Sequence, residues 1–227
     1  MESTPPREGS QPGSCYFEGD IFMLTGLFIY GFNGFMGEKG EKSRDRMIRA
    51  MAEALEIRGY SGTGLNDIVE ASGAPKGSIY FHFPGGKEEL ATEALSSSGE
   101  EMGDFFQRVL KNSRNAANGI ENILQSLETK LIASNFSKGC PISTTANETA
   151  SENGAVNEVC QNIFKNWNAK LELFLRNSGY GKARARELSL VLLSLMEGAI
   201  LLSRTSRDVR PLRSAAKAAK QLLNAEE

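Results

Sequence analysis

From Ser43 onward, apolar residues return every three or four positions, and nowhere do they alternate. That period belongs to an α-helix and not to a strand. The expected fold is therefore all-α. Met47, Ile48, Met51, Ala54, Leu55 and Ile57 mark a first helix, with Ser43 as its candidate cap and Gly59 as its stop. Leu65, Ile68 and Val69 mark a short second helix ending at Ala71, with Thr63 before it as a candidate cap. Ser72-Gly73 then breaks the chain. Pro75 suits the first turn of a third helix, which runs to Phe83 and is stopped by Pro84-Gly85-Gly86. A fourth helix runs from Lys87 to about Asn112. Further helices are expected over 119–134, 155–177, 183–204 and 211–223, with Ser137-Lys138-Gly139-Cys140-Pro141 as a loop.

The N-terminal 40 residues do not share this pattern. MESTPPREGSQPGS is rich in Pro, Ser and Gly and reads as disordered. The apolar run Ile21–Met36 is interrupted by glycines and is shorter than the roughly 20 residues a bilayer span needs. Glu18 and Asp20 precede it where a signal peptide would carry basic residues. One reading makes Met36 the initiator, so that residues 1–35 are upstream sequence. The expected organisation is thus an extension over 1–40, a unit of short helices over 41–95 and a longer helical unit over 96–225.

Composition limits the chemistry. A formal net charge of -2 over 227 residues gives no global argument for nucleic acid or membrane, so any basic patch must be local. Cys15, Cys140 and Cys160 are odd in number and form no CxxC pair, which points to a reducing cytoplasm rather than a disulfide framework. One histidine and three scattered cysteines do not make a structural zinc site, and no metal or cofactor is expected.

The three short helices form a compact trio whose last two members are joined by a turn at Gly73. That is a helix-turn-helix arrangement, in which the second helix of the pair enters the major groove of DNA. At about 100° per residue, Ile79 and Phe83 share one side and can pack inward, while Lys76, Gly77 and Tyr80 point elsewhere. Phe81 is assigned to the core with Phe83. Lys42 and Arg44, among Lys39, Arg46 and Arg49, give a local basic patch upstream.

Three segments carry a family resemblance. They are Gly62-Thr63-Gly64-Leu65-Asn66-Asp67-Ile68-Val69, Ala71-Ser72-Gly73-Ala74-Pro75-Lys76-Gly77-Ser78-Ile79-Tyr80-Phe81-His82-Phe83 and Lys87-Glu88-Glu89-Leu90. Over residues 43–95 the chain resembles the N-terminal domain of the TetR/AcrR transcriptional regulators. The resemblance implies that Thr63 and Lys87 contact phosphates, that Lys76, Gly77 and Tyr80 face base edges or backbone, and that His82 lies at the phosphate rim. Gly64 and Ser78 fall within the same matched motif. Two departures stand out. Ser72 replaces an alanine of the turn, and Pro84-Gly85-Gly86 puts three residues where two are usual.

Other uses of these residues were weighed. His82 as a catalytic base would need a nucleophile and an orienting group, and nothing local supplies either. Gly86-Lys87 fails as a phosphate loop, because Phe81 and Glu88 occupy the places of the required Gly and Ser/Thr. A small-molecule enzyme and a membrane-tethered protein using residues 21–36 remain as alternatives.

The second half supplies the rest of a regulator. Leu188 to Met196 is apolar on nearly all sides, so one side can face its own core and another a partner chain. Leu188, Val191, Leu192, Leu195 and Ala199, with Ala215, Ala218 and Leu222 of the last helix, are the expected homodimer contacts. The resemblance also puts its dimer contact in the last two helices. Met102, Phe105, Phe106, Leu127, Leu131, Phe164, Trp167 and Leu171 form the candidate effector core, with Met196 and Glu197 beside it. Gly139-Cys140-Pro141-Ile142, with Trp167 downstream, resembles the LmrA/YxaF-like branch and adds Cys140. The family implication is a dimer on double-stranded operator DNA, released by a small apolar or aromatic effector.

Overall fold

A computed structural model describes Met1 and residues 43–75, 77–151 and 154–224. Residues 35–227 form one compact unit, distinct from residues 1–34. The readings of residues 2–42, including Lys42 and the Met36 start, and of Lys76 lie outside the described residues.

The described residues hold nine helices and no strand. They are α1 (Ser43–Arg58), α2 (Leu65–Ser72), α3 (Ser78–His82), α4 (Gly86–Lys111), α5 (Ala116–Ala133), α6 (Pro141–Thr149), α7 (Ala155–Asn177), α8 (Lys182–Ser206) and α9 (Arg210–Asn224). In α1 the spacing of Met47, Met51, Ala54 and Leu55 puts all four on the buried side, against α2 and α4. Burying a side chain of Met or Leu size contributes roughly 1.5–3 kcal/mol. Gly73 ends α2 in the left-handed region at φ 62, and its N–H bonds Glu70 O and Val69 O. Ser72 donates to Val69 O and is buried, so its hydroxyl is accommodated in the turn.

Three expectations are corrected here. The third helix begins at Ser78 and not at Pro75, because Gly77 stands outside the helix and Pro75 O instead accepts from both the N–H and the hydroxyl of Ser78. Thr63 does not cap α2. It is buried, its hydroxyl donates to Gly59 O at 2.7 Å, and Gly64 occupies the cap position. The segment after residue 140 is helical as α6. Pro141 stands at its first turn, and the Cys140 sulfur accepts from Ser143 N.

The additional residue before Lys87 is absorbed locally. Gly86 adopts φ 68, a conformation open to glycine at little cost, and donates to Phe83 O. The Gly85 N–H is capped by Glu89 Oε2 at 2.7 Å. α4 then continues for 26 residues, about 39 Å, and packs on α1, α5 and α7. It approaches α7 closely at Gly99, where a side chain would collide with Ile163. There the Trp167 Nε1–H donates to Gly99 O at 2.9 Å. α5, α7, α8 and α9 complete the bundle.

Candidate nucleic-acid interface and effector cavity

The head formed by α2 and α3 is held from beneath by Ile68, Val69, Ile79 and Phe83, all buried. On its outer side, Tyr80 is 63% exposed and Phe81 81% exposed. Phe81 therefore does not belong to the core. It lies about 200° around the helix from Ile79, a separation the helical wheel already contained. Gly77 is exposed, and open space surrounds the place where a side chain would begin. Ser78 is half-buried, with its hydroxyl turned back to Pro75 O. His82 is half-buried and meets the Phe81 ring edge-on at 5.0 Å.

Around the head the basic residues divide. Lys87 places its ammonium 4.3 Å from the Tyr60 ring centroid, a cation–π contact that fixes the charge near the head. Arg44 pairs with Glu93 of α4 and lies over the Phe83 ring at 5.3 Å. The pair links α1 to α4 while the Arg44 side chain stays 40% exposed. Thr63, with its hydroxyl bonded internally, has no side-chain group for a phosphate in this conformation. Gly64 is exposed at the head of α2, where no side chain caps the first amides. Such amides suit an anion.

The second half contains two adjoining spaces. An inner cavity, about 20 Å³ in size, is lined by Met102, Phe106, Leu127, Leu131, Cys140, Trp167 and Glu197, together with Lys130, Lys138, Gly139 and Ile200. That is room for little more than a water. An outer groove of about 350 Å³ is lined by Phe106, Trp167, Leu171, Phe174, Met196 and others from α4, α5, α7 and α8. The expected core is thus split between two spaces that share Phe106 and Trp167. Phe105 and Phe164 line neither. Phe164 meets Trp167 edge-on at 5.8 Å, and Phe105 packs at 5.8 Å against Phe106, so both stand behind the wall.

Sequence reasoning missed Lys130 and Lys138. Both line the inner cavity, and both reach α1, Lys130 to Glu56 and Lys138 to Glu53 and Glu56. The Gly139 N–H donates to Glu56 O at 3.0 Å. Arg204 of α8 donates to Ile57 O and Ser137 O. The cavity wall is thereby joined to the end of α1. No local signal in the sequence announced these long-range pairs.

Inside the cavity, burial pushes the Glu197 carboxyl from 4.5 up to about 7, offset in part by hydrogen bonds with Cys140 and Ser143. Its Oε2 is shut off from solvent without a hydrogen-bond partner. Burial, and then the neighbouring Glu197, push the Cys140 thiol well above its ordinary value, so this cysteine is not a reactive thiolate.

The expected dimer residues separate by burial. Leu188, Leu192, Ala199 and Ala215 belong to the molecule's own core, at 0–5% exposure. Leu195, Ala218 and Leu222 are half-buried, and Val191 is exposed. The outward stripe of α8 is Leu190, Val191, Leu201 and Leu202. Because α8 is apolar on both sides, its pattern did not reveal which side faced home. By length and composition α8 could also cross a bilayer, but its other side is packed against α7 and α9.

Comparison with known proteins agrees with this geometry. Residues 48–94 match the bacterial regulatory proteins of the tetR family. Residues 116–218 match the C-terminal domain of the LmrA/YxaF-like transcriptional regulators. The chain is 37% identical to the HTH-type transcriptional regulator LmrA of Bacillus subtilis over 170 residues, 75% of this chain and 90% of that one. It is 34% identical to YxaF, an uncharacterized HTH-type regulator of the same organism, over 78% of this chain and 92% of that one. Among solved structures, a regulatory protein TetR from Rhodobacter sphaeroides superposes with a TM-score of 0.71 at 19% identity, covering 79% of this chain and 98% of that one. A TetR regulator from Legionella pneumophila gives 0.70 at 22%, covering 81% and 98%. At these identities the two solved structures speak for the fold alone.

Proposed function

The chain belongs to the TetR family of DNA-binding transcriptional regulators, and we propose that it is a cytoplasmic homodimeric repressor released from its operator by a small apolar or aromatic effector. Its relatives regulate transcription and are not enzymes. The observation that carries the proposal is the joint between cavity and head. Lys130, Lys138 and Gly139 line the inner cavity and bond Glu53 and Glu56 of α1. A ligand that spreads this wall disturbs the helix on which α2 packs. It shifts the DNA-binding equilibrium by the difference in its affinity for the two conformations.

Homodimerisation is supported by the exposed stripe of Leu190, Val191, Leu201 and Leu202. Pairing of two copies along α8 covers these side chains and presents two heads to half-sites about 34–36 Å apart. Lys76, Gly77 and Tyr80 then form the reading face, flanked by Gly64, His82 and Lys87. Exposed Phe81 joins them as an apolar contact.

The test is a salt-dependent gel shift on DNA flanking the gene. Lys76→Ala and Tyr80→Phe are each expected to weaken specific binding by roughly 1–3 kcal/mol with unchanged circular dichroism. If both variants bind as the wild type does, this reading face is wrong.

A further inference from the structure

The inner cavity carries an unbalanced set of charges. Lys130 is paired with Glu56, and Lys138 with Glu53 and Glu56. In the groove, Lys170 lies 4.0 Å from Asp104. Glu197 is the one carboxylate in either lining, and among the described residues no cation pairs with it. Its contacts are a thiol and a hydroxyl, from Cys140 and Ser143, and Oε2 has none. A buried carboxyl in this state takes either a proton or a cation. Around it are Met102 and the rings of Phe106 and Trp167, whose centroids lie 5.8 Å apart. Ring faces of this kind attract ammonium groups.

The two spaces meet at that ring pair. Trp167 is pinned through its indole N–H to Gly99 O. Phe106 is half-buried.

We propose that groove and cavity form one site for an amphiphilic amine. The ligand's aromatic or alkyl body lies in the groove between α4, α5, α7 and α8, and its ammonium passes Phe106 to Glu197 Oε2. The proposal rests on the effector-cavity reading above and adds the ligand's chemical class. An ammonium there supplies the missing counter-charge and the missing hydrogen bond together. An alcohol of the same shape supplies only the second.

Trp167 is the only tryptophan of the chain, so its fluorescence reports binding in the full-length protein. The probes are 4-phenylbutylamine and 4-phenylbutan-1-ol. At about pH 8 the amine is expected to bind roughly tenfold more tightly, the worth of a charge-assisted hydrogen bond in a dry site. Glu197→Gln is expected to bring the two affinities together, because it removes the charge that favours the amine. In the wild type the preference should also shrink at about pH 5.5, as Glu197 takes up a proton. The other groups facing the site are Cys140, whose thiol burial pushes further up, the paired Lys130, Lys138 and Lys170, and exposed Lys111. Should Glu197→Gln fail to fold, the pH series on the wild type decides. Equal affinities in the wild type at about pH 8, or an amine preference that survives Glu197→Gln, overturn the amine assignment alone. If neither probe changes Trp167 fluorescence, the effector cavity falls with it.

Discussion

Glu197 sets a pH dependence that belongs to a single residue. Its folded pKa lies above its ordinary value, at about 7 against 4.5. The fold therefore favours the protonated form. The stability this contributes is fully present below about 4.5 and is lost as the pH rises through about 7. Glu197→Gln keeps a neutral group at every pH. Relative to the wild type, the variant should gain on the order of 2 kcal/mol between about pH 5 and pH 8, measured by urea unfolding. A constant difference between the two proteins across that range would contradict the burial argument. Glu197 was visible in the sequence as an acid set inside the apolar run of its helix. That Cys140 and Ser143 would meet it from another element was not.

At the scale of elements, the joint between the cavity wall and α1 is the part that sequence left unseen. Glu56 accepts from Gly139 N through its carbonyl and pairs through its side chain with Lys130 and Lys138. Glu56→Gln keeps the backbone bond and removes the shared counter-charge. Operator affinity without effector should change only a few-fold, while effector release should lose roughly 0.5–2 kcal/mol of coupling. Gel shifts titrated with effector measure both quantities. A release curve identical to that of the wild type would remove Glu56 from the coupling. Legibility followed periodicity. α1, α4, α7 and α8 were found almost to their ends, because each repeats its apolar positions over several turns. α6 escaped because nine residues rich in Ser and Thr carry little period, and Pro141 at its start was read as part of a loop. α3 was drawn too long because Pro75 suits a helix start as well as it suits the turn that it makes.

For the whole molecule, the exposed leucines of α8 predict assembly. Leu190→Arg or Leu202→Arg places a charge in the proposed contact while leaving the core side of α8 untouched. Each variant should sediment as a folded monomer and lose operator binding at concentrations where the wild type binds. A stable dimer in both would move the contact elsewhere. The bond from Gly139 N to Glu56 O has a further consequence. It is made by backbone atoms alone, so it does not depend on the side chain at position 56, although a side chain at Gly139 would press on Arg204. The residues that choose DNA and the residues that choose ligand can drift separately while the joint persists. A chimera cut within α4, carrying another regulator's head on this bundle, should inherit a working hinge provided the backbone of its first helix ends at the same place.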